Sequence, residues 1–566
     1  MCMFSKNSYG SVLGVLAALV QSAYAQTTPD AGALRQQIER QLPSAVTTET
    51  KPLTALPPEF TPAAGLSISV KAFRFAGNTL LSDAQIAPAV AGYLNRPIGF
   101  KELQQATAAV GDVYRAAGWL VRVYLPRQEI TSGIVTLQIV EGIFGKLRFD
   151  GVAPSRLSIN RVQATIAAAQ PAGQALKAGA LDRAMLLLDD LPGVAVSGNL
   201  APGGGQAETD LVLKLVNEPL LNGDAGLDNT GSRSTGEERL TVNAFLNSPA
   251  SLGDQITSNL IHTQGSDYLR LSYSVPLGPD GMRLGINGSR MNYKIISSDF
   301  VALKLKGYSS SWGIDLQYPL IRSRSRNLYL SAGYDDKQFD NRAADAITTR
   351  YGVHNLSLGL MGNLFDKWGG GGASMASLNL TAGDLNLDGS PNQAADAATT
   401  KAQGSFTKLR YALSRQQALT DELSLYGLLT GQFASKNLDS SEKFYLGGAN
   451  GVRAFPASEG GGAEGTLLNL ELRYRAMTNL IITGFYDWGS VTVNRNNSYT
   501  GAPALNRFAL EGVGVSLAWT GPKGITVKGS YAHRLGSNPN RDTATGNDQD
   551  GSLVQDRFWL TASVPF

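Results

Sequence analysis

Cysteine is all but missing from this chain: one residue in 566, Cys2, at the N-terminus. Beyond that residue no disulfide framework, thiolate metal site or cysteine nucleophile can be built. Histidine is nearly as scarce. His262, His354 and His533 fall in separate strand-like segments, with no spacing that would pair them on a metal or in catalysis. Charge is thin too, at 17%, against roughly 25% in a typical soluble domain. No run reaches the ~18 apolar residues that a spanning helix needs. The net charge of +3 is too small for a nucleic-acid footprint, so no nucleic-acid partner is expected. Glycine is in excess, with 63 residues where about 7% of a chain is usual. The apolar fraction is an ordinary 43%, which excludes a disordered chain. The length leaves room for several domains and a large core.

The N-terminus reads as an export signal over residues 1–25. Lys6 precedes the short apolar stretch Val12 to Val20, and Ala23-Tyr24-Ala25 is a small-x-small site, predicting cleavage between Ala25 and Gln26. Cys2 lies inside the signal, so the mature chain should have no cysteine. A Gram-negative periplasm or outer membrane is the expected destination.

Residues 26–42 contain a helix predicted over 30–42. Asp30 can cap it, and Leu34, Ile38 and Leu42 form a stripe at four-residue spacing. The next stretch, 43–65, holds Pro43, Pro52, Pro57, Pro58 and Pro62. Extended at about 3.1 Å per residue it reaches ~70 Å, well beyond a ~30 Å hydrocarbon core. The helix can therefore lie across a membrane from the segments after the linker, the alternative being a surface helix on a loose tail. Residues 66–142 then read β-α-α-β-β: a strand through Leu66, Ile68 and Val70, helices near 82–94 and 100–117, and strands at 119–125 and 134–140. Residues 143–217 repeat that order, with a strand at 146–149, helices near 157–169 and 180–190, and strands at 194–200 and 209–216.

From Leu220 onward the helical period disappears. Stretches of about ten residues alternate apolar and polar side chains between Gly, Asn, Asp and Ser. In 467–475, Leu468, Leu470, Leu472 and Tyr474 oppose Asn469, Glu471, Arg473 and Arg475. Such charges opposite a continuous apolar row fit a barrel with lipid outside and water inside better than a sandwich with one wet face. Sixteen strands are predicted, near 221–229, 237–247, 254–262, 267–276, 282–292, 307–319, 326–339, 350–363, 373–383, 404–417, 422–433, 465–476, 480–491, 507–520, 524–535 and 557–566. An even number suits antiparallel closure, which a bilayer demands. Phe566 falls at the lipid-facing parity.

Catalytic signals are missing. There is no H-E-x-x-H and no G-x-S-x-G. Gly460 to Gly465 matches G-x-G-x-x-G formally, but a strand rather than a helix comes after it, so it reads as a loop. No enzymatic activity, cofactor or metal is expected.

Several motifs carry a resemblance: Phe73-x-Phe75-x-Gly77-Asn78, Tyr114-Arg115-x-x-Gly118, Leu125-Pro126-Arg127-Gln128 and Val140-Glu141-Gly142 in the first module, then Leu446-Gly447-Gly448, Val452-Arg453-Ala454-Phe455 and Phe485-x-Asp487-x-Gly489 in the barrel region. With these the chain resembles the TpsB family of two-partner secretion outer-membrane transporters, the ShlB/FhaC/HecB-like haemolysin and adhesin secretion and activation proteins. One departure is Ala454, where that family usually has glycine. The resemblance implies a plug helix (26–42), a linker (43–65), two periplasmic POTRA modules (66–142 and 143–217) and a sixteen-stranded outer-membrane β-barrel (218–566). It implies that the modules bind an unfolded exoprotein, an adhesin or haemolysin of the TpsA type, and that the barrel passes it to the cell surface. Outer-membrane lipid and periplasmic chaperones are further expected partners, and a monomer is expected. The alternatives are an insertase of the same superfamily, which usually carries more than two such modules, and a passive porin.

The loop Glu442 to Gly465 holds seven glycines in 24 residues. Its one arginine, Arg453, has apolar neighbours in Val452 and Phe455. Strand period places Phe485, Asp487 and Gly489 on one face and Tyr486 and Trp488 on the other. We therefore expect the loop to fold into the barrel and Arg453 to pair with Asp487. Gly489 should leave room for the approach and Phe485 should pack on the tip.

Overall fold

The computed structural model describes residues 29–42, 67–130, 132–205, 207–298, 300–542 and 545–566. The export signal, with Ala25 and Gln26, and the linker 43–65 lie outside the described residues.

Sixteen antiparallel strands, from Leu221–Asp228 to Asp556–Pro565, close into one barrel. Side-chain alternation sorts them. On the eighth strand, Ala346–Asp366, Leu356, Leu358 and Leu360 are exposed to the outside, while Val353 and Asn355 are buried towards the lumen. Such a surface is stable only against hydrocarbon. The sixth and seventh strands, Lys306–Arg322 and Arg326–Ala343, and the eighth run further than the sequence pattern predicts. Their outer ends carry Lys306, Arg342 and Arg350 on the outside, so the apolar alternation stops there although the backbone ladder continues.

Ahead of the barrel stand two small α/β modules. In the first, Ile134–Glu141 is the middle strand, parallel to Ala72–Ala76 and antiparallel to Val121–Tyr124. The helix Phe100–Ala116 covers one face, burying Leu103, Val110 and Tyr114 with Val135, Leu137 and Ile139. Two details differ from the sequence reading. The leading strand, Ser67–Ser69, pairs with Pro97–Gly99 rather than with the main sheet. The predicted helix at 82–94 is an α-turn, Asp83–Ile86, followed by a 3-10 stretch, Ala87–Tyr93. Pro88 in that stretch has no N–H to extend an α-ladder. The second module repeats the plan with Ile143–Phe149, Glu208–Asn217 and Val194–Pro202 under helices Ile159–Ala169 and Ala178–Asp189. It docks on the barrel rim through charge: Arg322 makes a two-pronged contact with Asp190 at 2.8 and 2.7 Å, and Arg324 meets Asp182 at 2.8 Å.

The first module is pinned at its opening turn. Gly77 has φ +87, and a Cβ there would lie 2.3 Å from the Ile139 carbonyl oxygen, so only glycine fits. The chain after it is held by Glu141, whose carboxylate accepts from the N–H groups of Thr79 and Leu80 at 2.8 Å each, from the Tyr114 hydroxyl at 3.0 Å, and from the Thr79 hydroxyl. Burial pushes the Glu141 carboxyl up, but these donors together outweigh it and hold the group below its ordinary range. A carboxyl depressed on folding stabilises above its unfolded value, and that contribution is lost as pH falls through the folded value. Glu141→Ala is expected to destabilise this module by about 1–3 kcal/mol at neutral pH, towards the low end because water reaches the site. Limited proteolysis over a pH series checks this. The gap between wild type and variant should shrink below about pH 4, and a gap that persists there would contradict this role for the charge.

Candidate functional site

A sixteen-strand wall encloses more space than its own side chains fill, and two segments occupy it. One is the helix Ala31–Glu39, shorter at its C-terminal end than the sequence pattern suggests. Asp30 caps it, accepting from the Ala33 N–H at 2.9 Å. Leu34 and Ile38 are buried with Ile261, Tyr268, Met291, Tyr293 and Phe339 of the wall, and Leu42, beyond the helix, packs on the edge of that cluster. Polar contacts fix its angle. The Ala31 N–H donates to Asn341 at 2.9 Å, and Arg35 donates to Ser311 at 2.6 Å and to Glu39 at 2.7 Å.

The other is the loop between the eleventh strand, Leu423–Ala434, and the twelfth, Glu464–Met477. Its backbone folds on itself closely enough to need glycine: a Cβ on Gly447 would lie 2.0 Å from the Pro456 oxygen, and one on Gly451 2.0 Å from the Leu446 oxygen. Gly461–Gly462 pairs with Phe444–Tyr445, so the formal nucleotide motif is a two-residue ladder inside the loop.

At the loop tip the structure brings Arg453 onto the thirteenth strand, Leu480–Thr492. Arg453 Nε and Nη2 donate to the two oxygens of Asp487 at 2.8 and 2.7 Å, and the Arg453 backbone N–H adds a third bond at 3.0 Å. Nη1 reaches Glu471 at 2.8 Å, and the guanidinium lies 3.5 Å from the centre of the Phe485 ring. Asp487 is fully buried and Arg453 is 5% exposed. Val452, Ala454 and Phe455 are buried beside them with Leu446 and Phe485. Gly489 faces the loop, where a Cβ would lie 2.7 Å from Leu446 and 3.3 Å from Val452.

Other members of the site lie outside the sequence motifs. Asn469 on the twelfth strand donates to Asp487 at 2.7 Å and to the Gly451 oxygen at 3.0 Å. Trp559 of the last strand donates to the Arg453 oxygen at 2.8 Å. Glu442, at the base of the loop, is buried between Lys337 at 2.9 Å, Asn355 at 3.0 Å and Lys408. The polar-face parity of Asn469 and Glu471 was a usable signal. No local pattern could join Glu442 to lysines on the seventh and tenth strands. The same stretch of loop touches the helix: Ser440 donates to Asp30 at 2.8 Å, and Arg40 donates to the Tyr445 oxygen at 2.9 Å. Between helix, loop and wall a cavity of about 740 Å³ remains, lined by Arg40, Arg410, Glu471, Arg473 and Lys528 among others.

Comparisons with known proteins bear on the family and the fold. The family model described as haemolysin secretion/activation protein ShlB/FhaC/HecB matches residues 207–518, and that of the ShlB-type POTRA domain matches 68–142. The chain is similar to the heme/hemopexin transporter protein HuxB of Haemophilus influenzae, at 25% identity over 97% of both chains. It is also similar to the outer membrane transporter CdiB of Dickeya dadantii, at 25% identity over 82% of this chain and 81% of the relative. The solved structure of CdiB from Escherichia coli covers all of both chains with a TM-score of 0.68 at 18% identity, a likeness of fold.

Ala454, the departure from the resembled family's motif, has a φ outside the left-handed region, so alanine is unstrained there. Its methyl group is accommodated instead by Gly512 on the fourteenth strand, Arg507–Thr520: a Cβ on Gly512 would lie 2.7 Å from the Ala454 Cβ. Gly512→Ala is therefore expected to unseat the loop tip at a cost of about 1–3 kcal/mol, and Ala454→Gly in the same chain should restore it. Loss of protease resistance in the loop by the single variant and its recovery in the double variant are the readout. No recovery would mean that the two positions do not share this space.

Proposed function

The chain belongs to the haemolysin secretion/activation protein family of ShlB, FhaC and HecB, whose model spans more than half of it, and on that footing we propose how its parts move a protein across the outer membrane. It is an outer-membrane transporter of a secreted exoprotein, with its POTRA modules in the periplasm. The observation that carries the mechanism is a lumen occupied by two segments, the helix Ala31–Glu39 and the loop 442–465, that are not part of the wall. In this reading residues 66–142 and 143–217 act as separate recognition modules. The sheets of both have exposed edges to which an unfolded chain can add a strand through backbone hydrogen bonds. The helix within 26–42 is the resting plug, and Val452, Arg453, Ala454, Phe455, Phe485, Asp487 and Gly489 form the loop-to-barrel lock. The exoprotein is of the adhesin or haemolysin class, the transporter acts as a monomer, and periplasmic chaperones deliver the exoprotein unfolded. Transport needs no catalytic step, because folding outside the cell supplies the direction. An insertase or a passive porin is the less favoured reading.

Removing this protein should trap a single large exoprotein, encoded beside it, in the periplasm. Arg453→Ala and Asp487→Ala should each leave a heat-modifiable barrel but cut secretion severely. Breaking a paired, buried charge costs about 3–5 kcal/mol, most of it the charge left behind. The double variant should secrete about as well as the better single. Effects that simply add would show the two residues to be uncoupled.

Deleting residues 30–42 tests the plug. Conductance in planar bilayers is expected to rise, since the cavity beside the helix would open into a continuous pore. Conductance equal to that of the intact chain would make the helix a passenger.

A further inference from the structure

On the outside of the long strands, above the lipid-facing rows, the side chains change from apolar to cationic. The rows are set by strand register. Leu271, Gly288, Trp312 and Asp336 lie side by side across the fourth to seventh strands, and Trp312 packs on Tyr334 with ring centres 5.5 Å apart. Aromatic side chains of this kind mark the membrane interface of a barrel. One row outward, Arg290 lies beside Leu269 and Ser310. The next row holds Asn292, Tyr308, Asp340 and Arg350, and the next Lys294, Lys306 and Arg342. Successive rows are about 7 Å apart along a strand and neighbours within a row about 5 Å apart.

Lys294, Lys306 and Arg342 are thus directly opposite one another on three adjacent strands. Like charges in that position destabilise a sheet, so the arrangement calls for an external counter-charge. The carboxylates present do not neutralise it. Asp340 is buried between Arg342 and Arg350, at 2.6 and 2.8 Å, and Asp345 meets Lys306. At the edges of the patch Asp336 lies 3.0 Å from His354 and Asp267 2.6 Å from His262. Arg342 and Arg350 thus share one carboxylate and Lys306 has one, while Arg290 and Lys294 meet none among the described residues. Lys306 is 49% exposed and Arg350 56%. Among the described residues of the twelfth to fourteenth strands there is no such stripe. Across the twelfth to fourteenth strands the matching rows are Thr466, Ser490 and Ala509, then Glu464, Thr492 and Arg507.

We propose that this stripe, Arg290, Lys294, Lys306, Arg342 and Arg350, is a binding site for the phosphorylated headgroup of an outer-leaflet glycolipid. The acyl chains lie on Leu271, in the row of Trp312, and on Ile286, Ile314 and Leu356 in the row below it, all exposed. The phosphates then sit at the level of Arg290 and Lys294, which meet no carboxylate among the described residues, and of Arg342 and Arg350, which share one. Such a contact anchors one side of the barrel, the side that also holds the plug helix through Ser311 and Asn341.

The test uses the full-length protein, purified in detergent and exchanged into nanodiscs, with bis-phosphorylated lipid A as the probe and native mass spectrometry as the readout. Lys294→Gln/Lys306→Gln/Arg342→Gln should bind about tenfold less lipid A than wild type, while Arg507→Gln binds normally. Dephosphorylated lipid A should bind wild type no better than it binds the triple variant. Equal retention of lipid A by wild type and triple variant overturns the proposal. So does equal binding of the dephosphorylated lipid to wild type, which would assign recognition to the acyl chains. Saturable binding of inorganic phosphate that displaces lipid A at equal concentration would assign the site to a free anion and overturn it as a lipid site. If the triple variant fails to give a heat-modifiable barrel, Lys294→Gln alone, exposed at the rim, should still lower lipid A occupancy measurably, and unchanged occupancy decides against the site.

Discussion

Hydrocarbon offers no partner to a backbone N–H or carbonyl, and the rest of this molecule depends on that constraint. The first strand must find the last. It does so over a short seam, from Asp224 opposite Pro565 to Asp228 opposite Thr561. The seam is lengthened at one end by a reciprocal pair of backbone bonds between Gly223 and Phe566, and at the other by the Asn229 side chain, which accepts from the Leu560 N–H at 2.7 Å and donates to the Phe558 oxygen at 2.9 Å. An amide side chain in the place of a missing strand residue satisfies groups that lipid would leave bare.

Closure at sixteen strands creates an interior that the wall cannot fill, and the filling differs in kind from a soluble core. Leu34 and Ile38 seal apolar wall, but the loop is held by charge. Arg453 buried without Asp487 would be untenable in a medium of low dielectric. With Asp487, Glu471 and the Phe485 face around it, the same residue becomes a point of fixed geometry. Glu442 between Lys337 and Lys408 repeats the device at the base of the loop. A segment with seven glycines is thus held in place at two charged anchors, and its glycines serve close backbone approach rather than mobility.

How much of this could be read from the chain depends on whether the signal is periodic or distant. Sixteen strands are legible because each must alternate, and because charges opposite an apolar row in so many consecutive strands fit a closed barrel better than a sandwich with one wet face. The Arg453–Asp487 approach is legible because an arginine among apolar neighbours needs a carboxylate and the parity of the thirteenth strand supplies one facing inward. The outer extensions of the seventh and eighth strands are hidden, since polar residues on both faces erase the alternation. Glu442 and its lysines are hidden because the closeness of the seventh and tenth strands to the loop base is a property of the closed barrel. The 3-10 stretch Ala87–Tyr93 could have been suspected from Pro88. The accommodation of Ala454 by Gly512 could not, as it depends on a contact between loop and wall.

Helix and loop are joined along one strip, and the two attachments are of unequal strength. The helix meets the loop through Ser440, the Tyr445 oxygen and the Ser441 oxygen, neutral groups that water can satisfy once the helix has gone. Nine helical residues are also too few to persist as a helix in water, so the wall sustains the fold of the plug and leaving the wall dissolves it. That adds chain entropy to the side of release. The loop gains nothing comparable. Freeing Arg453 strands Asp487 behind a buried surface, and freeing Glu442 strands two lysines. The physical order of opening is therefore plug before loop. A polypeptide entering the lumen can displace the helix by occupying its apolar wall, whereas it can displace the loop only by offering new partners to buried charges.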